Sequence, residues 1–546
     1  MLTFKETRAK KFYSSSLYHD FIFNHDRLAG HFFYDYRQYD DFKKRAEYLA
    51  SGSAERQKYE IHDAIAGYNS ECGCSPETLS NIGKLKEGAL AVVGGQQPGL
   101  LGGPAFVAYK IITIIKLSIF LSGLLKTDVI PVFWNASDDS STGQINSASI
   151  LNGTEIRETK AAFPWNIRFS DVSMELEEVE GALKRFVESL PVTGYHPAIL
   201  KFLNGVFRVF KYTRHTGPNY LFSCLILKLF GGSGLVVIDP CIDELKKAAL
   251  DFAEFDLENF SAINEKIIQE SAILSEEGYH NQIDYFDGSL NFFITDEGER
   301  RKINSPDKNV FFYKDKRVSK QEILKMIHEN PRTVSLNVVL RCVFQDSMLP
   351  NICTVCGPGE VSYFSQLKGV YNIFNKKSGV VYPRVSATII EKSVEQTLKK
   401  LGLDPDDLEN GRDFLKRKIF KSELLPDLEE TMDNFGKDVF LKIKALKLSL
   451  KEKGINVDGA FGRIEENIGK EISRLSSKII NEHMQSEERA GRGFEKIFTN
   501  MLPEGTLQER KISILNYINK YGFELVDGLL NSPDFMPPYH KFIYIE

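Results

Sequence analysis

Residues 94–103 read GGQQPGLLGG, five glycines and two glutamines between two apolar stretches. Glycine lets a backbone pass close to a ligand, where its N–H groups can reach carboxylate or phosphate oxygens. Gln96 and Gln97 add side-chain amides, each able to donate and to accept. Farther along, Asn135 is followed by Asp138 and Asp139. Carboxylates in such a place can hold an ammonium group, bind Mg²⁺ or take a proton as a general base. A second glycine loop, Gly357-Pro-Gly-Glu360, carries its own acid. Glu360 there either caps a helix dipole or grips a substrate amine or hydroxyl. Together these types point to a ligand bearing a phosphate or a carboxylate.

The elements around the first loop place it. Residues 89–93 form an apolar run of strand length, and Pro104 suits the first turn of a helix. That helix runs over Ala105–Leu125, and residues 129–134 are a second, β-branched strand. Strand, glycine loop, helix, strand is a βαβ unit with a right-handed crossover. Ligands of such sheets bind outside the carboxyl ends of the strands, where both the loop and the aspartates fall. The candidate catalytic residues are Asp138, Asp139 and Gln96. The candidate substrate-binding residues near them are Gly94, Gly95, Gln97, Gly99, Gly103, Tyr109, Lys110 and Trp134. The second loop adds Gly357, Gly359, Glu360 and Tyr363. Neither loop is a Walker A motif, and the first also fails the dinucleotide pattern.

The rest of the chain extends the same design. Residues 235–239, 337–344, 351–356 and 380–384 read as further strands of an α/β fold with a parallel sheet. Residues 145–151 and 157–159 flank Asn152-Gly153, a hairpin turn signal. Residues 244–257 read as a helix, and residues 278–318 as short β elements. Ser319 and Glu322 make a capping box that opens another helix. From about residue 386 the charge rises and the apolar spacing changes. Phe435, Val439, Ile443, Leu446 and Leu450 form one stripe. Phe461, Ile464, Ile468, Ile472, Leu475 and Ile479 form another, after a turn over residues 454–459. Two such stripes make an antiparallel helical hairpin, expected to be a dimerisation arm.

Composition excludes several classes. The chain is 42% hydrophobic and 26% charged with a net charge of −5, which offers no basic face for nucleic acid. Lys110 and Lys116 lie within the most apolar helix, which argues for a buried crossover helix and against a membrane span. The first residues have no apolar signal core, so a cytoplasmic protein is expected. Seven cysteines make no disulfide framework, and Cys353-Thr-Val-Cys356 is at most half a zinc site. Its strand-like setting favours ordinary buried thiols. The ten histidines are scattered, and no metal is expected.

GGQQPGLLGGPAFVAYKIITIIKLS followed by PVFWNASDD resembles the cysteine-adding enzymes of bacillithiol synthesis, the BshC family. LVVIDPCIDELKK, SLNVVLRCVFQDSMLPNICTVCGPGEVSYFSQLKGVY, VVYPRVSATIIEK and LQERKISILNYINKYGFELVDGLL extend the likeness along the chain in order. It departs in two places: Ser137-Asp-Asp-Ser-Ser141 replaces an acidic segment containing histidine, and Gly94-Gly95 replaces Thr-Gly. The resemblance implies a Rossmann-like core over residues 1–385, with an N-terminal helical arm and connective insertions at about 145–220 and 260–330. It implies an α-helical antiparallel coiled-coil domain at 386–500 that mediates a homodimer, and a segment at 501–546 that packs back on the core. The implied reaction is a ligation of L-cysteine to glucosaminyl-malate. The implied cofactor is an adenine nucleotide, ATP or ADP, held away from the core cleft, for which Arg384, Arg510, Asn516 and Tyr521 are candidates. A ligase of this type using another amino acid and a coiled-coil scaffold with a degenerate core both stay open.

Overall fold

A computed structural model describes residues 2–13, 15–51, 59–139, 146–161, 176–213, 217–283, 288–297, 299–307, 310–423, 426–454, 458–486 and 488–545. The chain forms two compact units. One joins Leu2–Thr388 to Thr506–Ile543, and the other is built on Ile389–Gly505.

The first unit is organised on a sheet whose described strands are β1 (Leu90–Gln96), β2 (Val129–Asn135), β3 (Val236–Ile238), β4 (Asn351–Cys356) and β5 (Val380–Pro383). Their order is β5-β4-β1-β2-β3, and every pairing is parallel. The strands are almost wholly apolar because helices cover both faces of such a sheet. Register aligns the carboxyl ends: Gln96 lies opposite Asn135, Trp134 opposite Ile238, and Cys356 opposite Pro383.

The helix Ala105–Leu125 packs on β1 and β2. Close contact there depends on Gly94. A Cβ at that position would sit 2.7 Å from Ile114 Cδ1 and 3.1 Å from the Val355 carbonyl oxygen. By length and composition this helix could cross a membrane, yet 72% of its most apolar window is buried inside the structure. Lys116 uses its ammonium to bond the Ser532 and Leu529 carbonyls at the end of the helix Glu524–Asn531. The hairpin Ser147–Asn152 with Glu155–Lys160 forms about Gly153. Its outer edge is stitched to the returning C-terminal segment. Ser513 N donates to Ser149 O at 2.9 Å, and Leu151 N donates to Asn516 Oδ1 at 3.0 Å. Ala105 N donates to Ile512 O at 2.8 Å, so the same segment also caps the crossover helix.

Two expectations are corrected. Residues 337–344 are not a strand: the helix Val338–Met348 begins there, after the short strand Val334–Leu336. Asn337 decides the matter, because its Oδ1 accepts the backbone N–H groups of Val339 and Leu340 at 3.0 and 3.2 Å. A run buried all round has no period to separate strand from helix. In the second unit the helices Pro426–Glu452 and Asp458–Ser486 form the expected hairpin. Of its turn, residues 455–457 lie outside the described residues. Val439, Ile443, Leu450, Ile468, Ile472 and Ile479 are half-buried, but Phe435, Leu446, Ile464 and Leu475 are exposed. Gly436 lies against Ile472 and Gly469 against Phe440 where the two helices meet.

The helix Asp243–Glu276 runs well beyond the expected residue 257 and carries a buried carboxylate, Asp256. Asp256 accepts from Asn291 N at 2.6 Å and from Asn291 Nδ2 at 2.8 Å. Asn291 in turn meets Asn337 Nδ2 at 3.0 Å, so the capped helix, the long helix and the strand Ser289–Asp296 share one polar node. Burial raises the Asp256 carboxyl to about 7. Its unfolded value is about 3.9, so the proton is held more tightly in the folded state. Its contribution to stability is complete below that unfolded value and is lost as pH rises through about 7. Asp256→Asn is therefore expected to lose less of its thermal midpoint than the wild type between about pH 5 and about pH 8. Parallel loss in the two proteins, followed by circular dichroism, would reject this.

Candidate active site

The carboxyl edge of the sheet is held by two buried lysines. Lys110 comes from the crossover helix and is 0% exposed. Its ammonium donates to Gly95 O at 2.6 Å, to Gln96 Oε1 at 3.2 Å and to Glu360 Oε2. Glu360 Oε2 also accepts the Gly357 N–H at 2.6 Å, closing the first turn of the helix Pro358–Phe364. That one oxygen caps its helix, as the first reading of Glu360 has it, and pairs with the chain's own Lys110. Burial lowers the Lys110 ammonium from its ordinary value, and Glu360 opposes that shift. The two glycine loops, distant in sequence, are locked to each other through this ion pair.

Lys246 is the second lysine. It reaches from the helix Asp243–Glu276 to Asp138 Oδ2 at 2.9 Å and to Val334 O at 2.7 Å. Beside it, Ser137 Oγ donates to Asp239 Oδ1 at 2.5 Å. Asp239 also accepts from Asn219 Nδ2 at 2.7 Å and Tyr68 Oη at 3.1 Å. Burial raises the Asp239 carboxyl above its ordinary value. Asp138 belongs to the short turn Ser137–Asp139 that follows β2. The side chain of Asp139, and Ser140 and Ser141 where the family pattern would bring a histidine, lie outside the described residues.

A cleft of about 260 Å³ opens beside the first loop. Gln96, Gln97 and Gly99 line it from the loop, Ser147 and Glu158 from the hairpin, and Arg510 and Lys511 from the C-terminal segment. Gly103 has a positive φ of 69° and packs against Gly99, which makes the tight exit into Pro104. Other expected residues lie elsewhere. Tyr109 and Trp134 are fully buried, and neither the Tyr109 hydroxyl nor the Trp134 indole N–H has a partner among the described residues. Gly94 and Gly95 serve packing against Ile114 and Trp134. Gly359 is exposed and Tyr363 half-buried, with its hydroxyl 3.5 Å from Arg341 Nη2.

Of the four residues expected to hold a nucleotide, Arg384 and Arg510 lie near enough for their charges to repel. Arg384 is buried against Glu509 at 2.6 Å. Burial alone would push Glu509 up, but Arg384 outweighs it and holds that carboxyl below its ordinary value. Asn516 is buried against Leu151, Tyr521 is half-buried at the end of its helix, and Arg510 lines the cleft. Among the described residues no group of three His, Cys, Asp or Glu side chains could hold a metal ion. Sequence reasoning missed Lys246, Asp239, Glu158 and Lys511. Asp239 and Lys246 stand at the end of a strand and in the first turns after it, which is the one signal that could have nominated them.

Lys110→Met would strand Glu360 and the Gly95 carbonyl without their cation. Removing one partner of a buried ion pair costs about 3–5 kcal/mol. The expected result is a loss of that size in unfolding free energy, partly restored in Lys110→Met/Glu360→Gln. Additive losses in a double-mutant cycle would show that the pair is not coupled.

Comparison with known proteins places this architecture. The family model described as the N-terminal Rossmann-like domain of bacillithiol biosynthesis BshC matches residues 2–385. The model of the C-terminal coiled-coil domain of the same family matches residues 387–545. A relative from Carboxydothermus hydrogenoformans is 29% identical over 98% of this chain and 98% of its own length. One from Geobacillus thermodenitrificans is 27% identical over 94% of this chain and 95% of its own. Both carry the name "Putative cysteine ligase BshC". With both domain models matched in sequence order, the chain belongs to the bacillithiol biosynthesis BshC family.

Proposed function

We propose that this chain is a cysteine ligase that joins the carboxyl of L-cysteine to the amine of glucosaminyl-malate. The observation that carries this reading is the match of both domains to the bacillithiol models, with relatives of that name aligned over almost the whole chain. In the reaction a C–N bond forms between the amine nitrogen and the carboxyl carbon. One carboxyl C–O bond breaks, and the amine gives up a proton. A free carboxylate is a poor acyl donor, and an adenine nucleotide, when bound, would supply the phosphate that activates it and carries the departing oxygen away. Arg384 is not offered for that nucleotide, because its guanidinium is committed to Glu509.

Asp138 is the group for the amine. It stands at the carboxyl end of β2, just past Asn135, whose neighbour across the ladder is Gln96. Lys246 fixes its carboxylate, and a carboxylate there can orient an ammonium or receive the proton of the attacking amine. Gln96 presents its amide to the same edge. Purified protein supplied with cysteine, glucosaminyl-malate and ATP is expected to yield the amide thiol by mass spectrometry. Asp138→Asn is expected to lower kcat/KM by about a hundredfold or more. No product beside an active family member would sink the proposal, and product only with another amino acid would reassign the donor.

We also propose that the protein works as a homodimer through its helical hairpin. Leu441 and Leu448 are 64% and 54% exposed there, beside the exposed Phe435 and Leu446, a surplus of apolar surface on one long hairpin. Sedimentation is expected to give twice the mass of 62.0 kDa, falling to the monomer in Leu441→Lys/Leu448→Lys. A monomeric wild type would refute the arrangement.

A further inference from the structure

We infer that the returning C-terminal segment supplies the specificity wall of the cleft: Arg510 and Lys511, with the Gln96 amide, form a seat for an anionic group of the substrate. The group is a carboxylate or a phosphate, since both present oxygens that accept from the same donors. This deepens the ligase reading, because it takes the cleft beside the first glycine loop as the substrate site.

Three observations support it. The first concerns Gln96. An ammonium only donates, so Lys110 engages the Oε1 end of this amide, and Nε2 is the end that can donate to a ligand in the cleft that Gln96 lines. A residue able to donate or accept is thereby fixed as a donor. The second is the charge of the wall. Among the described residues that line the cleft, Arg510 and Lys511 are accompanied by one carboxylate, Glu158. Glu158 is itself engaged by Lys160 at 3.0 Å and by Lys511 at 3.9 Å. The polar lining is therefore cationic in balance and rich in donors.

The third observation is rigidity. Glu509 immediately precedes the two cations and is fully buried. It accepts from Arg384 Nη2 at 2.6 Å, from Ser386 Oγ at 3.0 Å and from Ala387 N at 2.9 Å. On their other side, Ile512 O and Ser513 N are bonded to Ala105 and Ser149. Arg510 and Lys511 are bracketed by two anchors, so their backbone is set before a ligand arrives, which lowers the cost of binding. A volume of about 260 Å³ suits the acidic portion of a small metabolite.

The test is calorimetric titration of the full chain with L-malate as a dicarboxylate probe and, separately, with inorganic phosphate. The proteins are the wild type, Arg510→Gln/Lys511→Gln, Gln96→Glu and, as a charge control, Lys201→Gln. The wild type and the control are expected to bind at least one probe. The double variant and Gln96→Glu are expected to bind it roughly tenfold more weakly or worse. Thermal midpoints near that of the wild type would exclude unfolding as the cause. Which probe binds tells a carboxylate seat from a phosphate seat. No saturable binding by the wild type, or undiminished binding in both variants, overturns the inference. A protein that makes no amide yet loses anion binding in the variants keeps the seat and loses the ligase reading. A protein that makes the amide with an unchanged KM for the amine in the double variant keeps the ligase reading and loses the seat.

Discussion

An ammonium group cannot stay charged among hydrocarbon side chains unless oxygen atoms surround it. Lys110 lies in the second turn of the most apolar helix of the chain and meets that demand with three oxygens from the two glycine loops. Much of the core geometry follows. The first glycine loop must end β1 with a carbonyl turned to the helix. The second loop must bring its glutamate across the edge of the sheet. The strand order must set β4 beside β1, as it does. The carboxyl edge of the sheet is thus organised around a group that is itself out of solvent and serves to fix its neighbours.

The same device recurs wherever a separate part of the first unit is attached. Lys246 ties the long helix to Asp138, Arg384 ties the end of β5 to Glu509, and Lys116 receives the helix Glu524–Asn531. Asn516 fastens the hairpin. Each anchor is a buried or half-buried polar group whose partners are backbone carbonyls, amides or one opposite charge. Apolar contact alone would let such parts slide, whereas a buried polar pair is satisfied in one register. The arrangement gives direction to surfaces that hydrophobic packing leaves indifferent.

Much of this was legible in the residues. The strands of the parallel sheet, the crossover helix, the Asn152-Gly153 hairpin and the capping box at Ser319 each have a local signal, and each formed. The second glycine loop also took its place on the carboxyl edge. What could not be read is what the strand order brings together. Asp239 meets Ser137 because β3 lies beside β2, and no periodicity encodes that neighbour. Arg510 and Lys511 reach the cleft because of where the C-terminal segment threads. Tyr109 and Trp134 were nominated by position in sequence, but the face each side chain takes is fixed by packing, and both point inward. Most of the coiled-coil stripe residues turn inward in the hairpin, and Phe435, Leu446, Ile464 and Leu475 stay exposed.

The first unit is discontinuous: Ile389–Gly505 intervenes between its two segments. A ribosome therefore makes the sheet, both glycine loops and the hairpin, then Ile389–Gly505 of the second unit, before it delivers the residues that complete the cleft. Until residues 506–543 emerge, the crossover helix has no cap from Ile512, Arg384 has no Glu509, and Lys116 has no helix end to bond. Domains tend to fold in order of synthesis, so the nascent sheet must wait in an incomplete state with charged groups unpaired. Competence arrives late in translation and all at once, which gives the cell one checkpoint between a chain that is merely compact and one whose cleft is finished.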